Sequence, residues 1–165
     1  MDFAFYLRQF HLAAGETPEI KLDRKGLKLS VDIVLESVAL KVYKPEWSGD
    51  HQSPLDAVGR IFFSVWVNDK AIQEDRIYYN IHALKVRELR NYRISGRNFA
   101  QDFRTEFLKY HKDWPNVSVQ YGPLTLMQGW IQLKNDRIQK DVYELVQNFL
   151  KISSIIDHIL DSHKK

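Results

Sequence analysis

Apolar residues recur at intervals of two through the middle of the chain and at intervals of three and four toward its end, and each interval predicts an element. The last segment is the most regular: Ile138, Val142, Leu145, Phe149, Ile152, Ile156 and Ile159 predict a long helix entered from Asp136. After Ser95, a good N-cap, Phe99, Phe103 and Phe107 fall four apart and Tyr110 completes the stripe, so a second helix is expected before Trp114-Pro115. Phe3, Leu7 and Phe10 predict a short helix ending near Gly15.

The interval of two begins after Pro18. Ile20 and Leu22 alternate with charged residues, and Asp23-Arg24-Lys25-Gly26 supplies turn chemistry, which together predict a hairpin. Leu27, Leu29, Val31, Ile33 and Leu35 continue as a half-buried strand. At Ser37 the parity shifts by one and Val38, Leu40 and Val42 carry it on, which requires either a bulge near Glu36 and Ser37 or a break between two strands. Pro45 to Gly59 is expected to be a loop. Ile61, Phe63, Val65 and Val67 form the next strand, Asn68-Asp69-Lys70 starts a turn, and Ile77, Tyr79 and Ile81 return antiparallel. Val117, Val119 and Tyr121, a turn at Gly122-Pro123, and the stretch from Leu124 to Leu133 predict a further hairpin, with Gly129 marking a bulge or a close approach. The sum is one α+β domain over residues 1–165: an antiparallel sheet of about six strands, with a mid-chain helix and a long C-terminal helix packed on it.

Composition narrows the chemistry. The chain has no cysteine, which removes disulfides, thiolate zinc sites, iron–sulfur clusters and a cysteine nucleophile. Met1-Asp2-Phe3 carries an acid where an export signal has basic residues, and charges interrupt every apolar run before it could cross a bilayer, so a soluble, cytoplasmic protein without a membrane partner is expected. A net charge of +3 is too mild to imply nucleic acid by itself, but it is concentrated locally: Lys85, Arg87, Arg90, Arg93, Arg97 and Arg104 face only Glu88 and Asp102 within residues 85–104. Leading into a helix amino terminus, this segment could contact phosphate or nucleic acid, with Tyr92 stacking on a ring; the plainer reading is a solvated strand end and turn.

Three further features carry candidate chemistry. If Ile77, Tyr79 and Ile81 face the core, then Tyr78, Asn80 and His82 share the other face, as Phe62, Ser64 and Trp66 do one strand earlier; were the two faces to coincide, aromatic walls would surround polar groups as in a small-molecule pocket, unless helices cover them as core. The seam of Val142, Leu145, Phe149, Ile152 and Ile156 would suit a homodimer, whereas Val146, Leu150, Ile155 and Leu160 widen it as expected of a helix lying on its own sheet. His51, beside Asp50 and near Asp56, could serve acid–base chemistry within a cleft, while Asp157, His158, Asp161 and His163 read as an exposed helical face. No metal, cofactor or nucleophile motif accompanies them. The expectation is therefore a non-enzymatic binding module, self-associating or not, for a protein or small ligand; the alternatives are a phosphate or nucleic-acid binder through residues 85–104 and a small-molecule enzyme using His51 or His82.

Overall fold

The computed structural model describes all 165 residues and shows one antiparallel sheet with its helices on one side. Helix α1 (Phe3–Glu16) is capped by Asp2, whose carboxylate accepts from the Phe5 amide at 3.0 Å, and it turns Tyr6, Phe10 and Ala13 inward. The hairpin expected at Ile20 and Leu22 is instead a short helix, α2 (Glu19–Arg24), started by Pro18. Its end explains the turn residues. Gly26, at φ 69°, and Leu27 donate to the Asp23 and Leu22 carbonyls, and Leu22 and Leu27 are both buried, which is the Schellman closure of a helix. One turn of helix offers two apolar residues, too few to separate a period of two from one of 3.6.

Strands β1 (Lys28–Val34) and β2 (Ser37–Ser48) are joined by the two-residue turn Leu35-Glu36, both residues having positive φ, so the parity shift at Ser37 is a break between strands rather than a bulge. β2 extends past Pro45 into the stretch expected to be a loop; its register slips between Tyr43 and Ser48, and there Trp47 enters the core. β3 (Arg60–Val67) and β4 (Arg76–Leu84) pair antiparallel as expected, but Asn68 caps a one-turn helix, α3 (Asp69–Gln73), between them. β5 (Thr125–Gln132) pairs with β4, giving five strands in the order β1-β2-β3-β4-β5 rather than six.

The strand expected at Val117 to Tyr121 is reduced to one bridge between Ser118 and Gln128. Local bonds divert it: Ser118 Oγ accepts from the Gln120 amide, Tyr121 donates back to Val119, and Arg104 binds the carbonyls of Tyr121, Gly122, Thr125 and Leu126 at 2.8–3.1 Å. Gly129 is a close approach: it lies opposite Tyr79, and a Cβ there would overlap the Tyr79 hydroxyl, which donates to the Pro115 carbonyl at 2.6 Å.

Helix α4 (Gly96–Phe107) is capped by Ser95 and buries Phe99, Phe103 and Phe107. Helix α5 (Ile138–Asp161) starts one residue later than Asp136 would place it, with Arg137 at the cap position. It lies across β3, with α1 toward β1 and β2 and α4 toward β4 and β5. Phe149 stacks on Phe63 at 4.5 Å and meets the edge of Trp47, and Asp157 accepts from Trp47 Nε1 at 2.8 Å and from Lys44 Nζ. Val142, Leu145, Phe149, Ile152 and Ile156 are each at most 4% exposed inside the single chain, so the seam read as a dimer interface is consumed by the chain's own sheet and helices. The wide stripe, not the narrow heptad, decides its use. No helix is long and apolar enough to cross a membrane.

Candidate functional site

With α1, α4 and α5 on one side, the opposite side of the sheet is left without a helix. Strand parity decides what appears there. The core takes Ile61, Phe63, Val65 and Val67 from β3 and Ile77, Tyr79, Ile81 and Ala83 from β4, so the alternate residues turn away from it. The register then pairs Phe62 with His82, Ser64 with Asn80 and Trp66 with Tyr78, bringing together all six residues singled out from parity. Neighbouring strands add Lys28, Ser30 and Asp32 from β1, Ala39, Lys41 and Tyr43 from β2, and Gln128, Trp130 and Gln132 from β5.

The side chains lie against one another. Trp66 and Tyr78 stack at 5.6 Å, and Arg76 sits 3.9 Å over the Trp130 ring while pairing with Glu74, which also accepts from the Tyr78 hydroxyl. Lys41 lies 4.8 Å over Phe62, with Arg60 on the same ring at 5.6 Å. Phe62 and His82 meet at 5.0 Å. Each ring covers its neighbour, and the turn Pro54–Asp56 borders the face beside β2, where the Ala57 carbonyl accepts from the Arg60 guanidinium over Phe62; Phe62, Ser64 and Asn80 are buried without a helix packed on them. Phe62, Ser64, Trp66, Tyr78, Asn80 and His82 line none of the cavities of about 210–670 Å³ found elsewhere on the molecule, so the patch has no large cleft of its own.

At its centre is a polar ladder. Asn80 Nδ2 lies 3.1 Å from His82 Nε2 and 3.2 Å from Gln128 Oε1, while Asn80 Oδ1 has no partner. Burial, reinforced by the charges of Lys41 and Arg60, lowers the His82 pKa to about 4, so the ring is neutral at pH 7 and its bare nitrogen can accept from Asn80. Desolvation, then Arg60, also lowers the pKa of Lys41. The face carries a slight excess of cations: Lys28, Lys41, Arg60 and Arg76 are opposed by Asp32 on it, by Asp56 close to Lys41 and by Glu74 at the margin.

No family model matches the chain, and no curated protein or solved structure matches it. Its chemistry is therefore read from its own residues.

The basic segment is split by the fold. Arg87, Tyr92 and Arg93 line a cavity of about 450 Å³ at the start of α4, together with Ser95, Asn98, His163 and Lys165. Lys85, in a left-handed conformation, lines a second, smaller cavity beside Pro123 that shares Arg87 with the first, and the exposed Arg90 and Arg97 line neither. Tyr92 is buried, so its ring is not free to stack on a base. Arg104 is committed to holding backbone carbonyls.

His51 is exposed, and the neighbouring Asp50 carboxylate accepts from the Gln52 and Ser53 amides. The hydrogen bonds of His82 run to Asn80 and the Leu124 backbone, with no carboxylate to orient it. Near the C-terminus, Asp157 holds Trp47 and Lys44, Asp161 pairs with Lys164, and His163 Nδ1 lies 2.9 Å from the Ile159 carbonyl. Parity alone could have added Arg60 and Arg76 to the patch. Lys41, Gln128 and Trp130 required the β2–β3 and β4–β5 registers.

Proposed function

We propose that the protein is a binding module, without catalytic machinery of its own, that docks a protein partner on the helix-free face of its sheet. The observation carrying this reading is that the strand register gathers Trp66, Tyr78, Trp130, Arg60 and Arg76 onto one face of the sheet. Trp, Tyr and Arg are the residues that dominate binding energy at protein interfaces, and a patch without a large cleft suits a protein better than a small molecule, which needs a cavity. The excess of cations favours an acidic partner surface. Stacked bases are a poorer match, because the faces of Phe62, Trp66 and Trp130 are already covered by Lys41, Tyr78 and Arg76.

Comparative capture tests it. The wild type, a Trp66→Ala/Arg76→Glu variant and an Arg93→Glu control serve as baits. A protein retained by the wild type and the control but lost from the face variant supports the reading. Retention of every captured protein by the face variant refutes it.

A second reading, a site for a phosphate-bearing ligand, is supported by Arg87, Arg93, His163 and Lys165 around one cavity at the start of α4. Inorganic phosphate should then raise the melting temperature of the wild type but not of Arg93→Glu; equal shifts would dismiss it.

A further inference from the structure

The two edges of the sheet are not alike. The outer edge of β5 is partly occupied, because Ser118 and Gln128 exchange backbone hydrogen bonds at 2.8 and 3.0 Å. The outer edge of β1 has no strand beside it. Strand edges are normally blunted by proline, bulges or charge; β1 has no proline or bulge over Lys28–Val34, and its two charged residues, Lys28 and Asp32, are of opposite sign and so can complement a second copy instead of repelling it.

The turn fixes which backbone groups of β1 are free. A two-residue turn closes on a hydrogen-bonded pair, here Val34 and Ser37, and such pairs alternate along an antiparallel ladder. Residues 28, 30, 32 and 34 are therefore bonded to β2, while Leu29, Val31 and Ile33 direct their N–H and C=O groups outward. Lys28 and Asp32 lie on the helix-free face, both exposed, and neither forms an ion pair within the chain.

We propose that two copies of the chain pair β1 to β1, antiparallel, about a twofold axis at Ser30. In that register Leu29 exchanges hydrogen bonds with Val31 of the second copy, using the outward groups of both. Lys28 stands opposite Asp32 of the second copy in the close, non-hydrogen-bonded positions, twice per dimer. Ile33, 51% exposed, comes opposite Leu27 of the second copy. Centring the axis on Val31 would leave both charges opposite uncharged residues, and centring it on Asp32 would bring the two acids together, so charge complementarity selects Ser30. The axis is perpendicular to the sheet, so the two helix-free faces join into one continuous surface of ten strands. The pairing does not depend on the partner proposed above.

The absence of cysteine gives a direct test. Opposed non-hydrogen-bonded residues have Cα atoms about 4.5 Å apart, within disulfide range. Ser30→Cys should therefore oxidise to a covalent dimer, and Val31→Cys, off the axis, should not. By light scattering the wild type should be a dimer at sub-millimolar concentration. Asp32→Lys should weaken it by about tenfold or more by opposing two lysines, and Lys28→Asp/Asp32→Lys should restore it. Circular dichroism confirms that each variant is folded. A wild type that stays monomeric, cross-linking through residue 31 instead of 30, or a dimer indifferent to Asp32→Lys would each overturn the proposal.

Discussion

His82 offers a titration that reads the helix-free face. In the folded chain its pKa is lowered from 6.5 to about 4, first by burial and then by Lys41 and Arg60. The unfolded chain takes up this proton near pH 6.5, whereas the folded chain resists it until about pH 4. Between those values the unfolded state binds more protons, so stability is complete above pH 6.5 and drains away as the pH falls. Each pH unit is worth about 1.4 kcal/mol, so the interval amounts to roughly 3 kcal/mol at most, the ring being partly reached by water. Urea unfolding of the wild type and of His82→Gln, from pH 8 down to about pH 4, isolates this contribution, because glutamine can still accept from Asn80 but does not titrate. The difference between the two curves should be flat above pH 6.5 and then slope in favour of the variant. A difference that stays flat down to pH 4, or a His82 resonance titrating near 6.5, would refute the burial argument.

Asp157→Ala should cost about 2–3 kcal/mol in urea melts, because it strands the Trp47 indole N–H inside the core; Asp157→Asn, which can still accept from the indole, should cost less. Phe149→Ala should cost about 3–5 kcal/mol, since the ring fills the space between Phe63 and Trp47 under the centre of α5. Arg104→Ala should leave the sheet folded while amide exchange quickens across residues 117–125, whose carbonyls the guanidinium binds. Unchanged exchange there would show that the segment holds itself.

The elements most legible in the sequence were those in which one period ran long enough to exclude the other. Seven apolar residues in steps of four and three identified α5, three phenylalanines after a serine cap identified α4, and the alternation through β3 and β4 fixed both strands and the face each residue would occupy. Ile20 and Leu22 misled because a single helical turn between Pro18 and Gly26 is too short to show its period. Val117 to Tyr121 alternates like a strand, but its fate is set by Arg104, a residue of another element, and no local pattern reports that. The α5 heptads alone read alike whether the helix covers a sheet or a second helix; Val146, Leu150, Ile155 and Leu160, which widen the stripe, pointed to the chain's own sheet, and all four are buried within the single chain.

Site legibility followed the same division. Parity grouped Phe62, Ser64 and Trp66, and separately Tyr78, Asn80 and His82, but their meeting depended on the β3–β4 register, and the contribution of Trp130 on that of β4 and β5. The Arg87 to Arg97 stretch looked continuous because sequence distance conceals placement: Arg87 and Arg93 line one cavity, Arg90 and Arg97 do not, and Tyr92 turns inward.

Oxidative footprinting of the complex with the captured partner tests the assignment of the helix-free face most directly. Trp66, Tyr78 and Trp130 should lose reactivity when the partner binds, while Tyr121, exposed and outside the patch, should oxidise as in the free protein. Protection confined to Tyr121 or to the helical side, with those three rings as reactive as before, would contradict it.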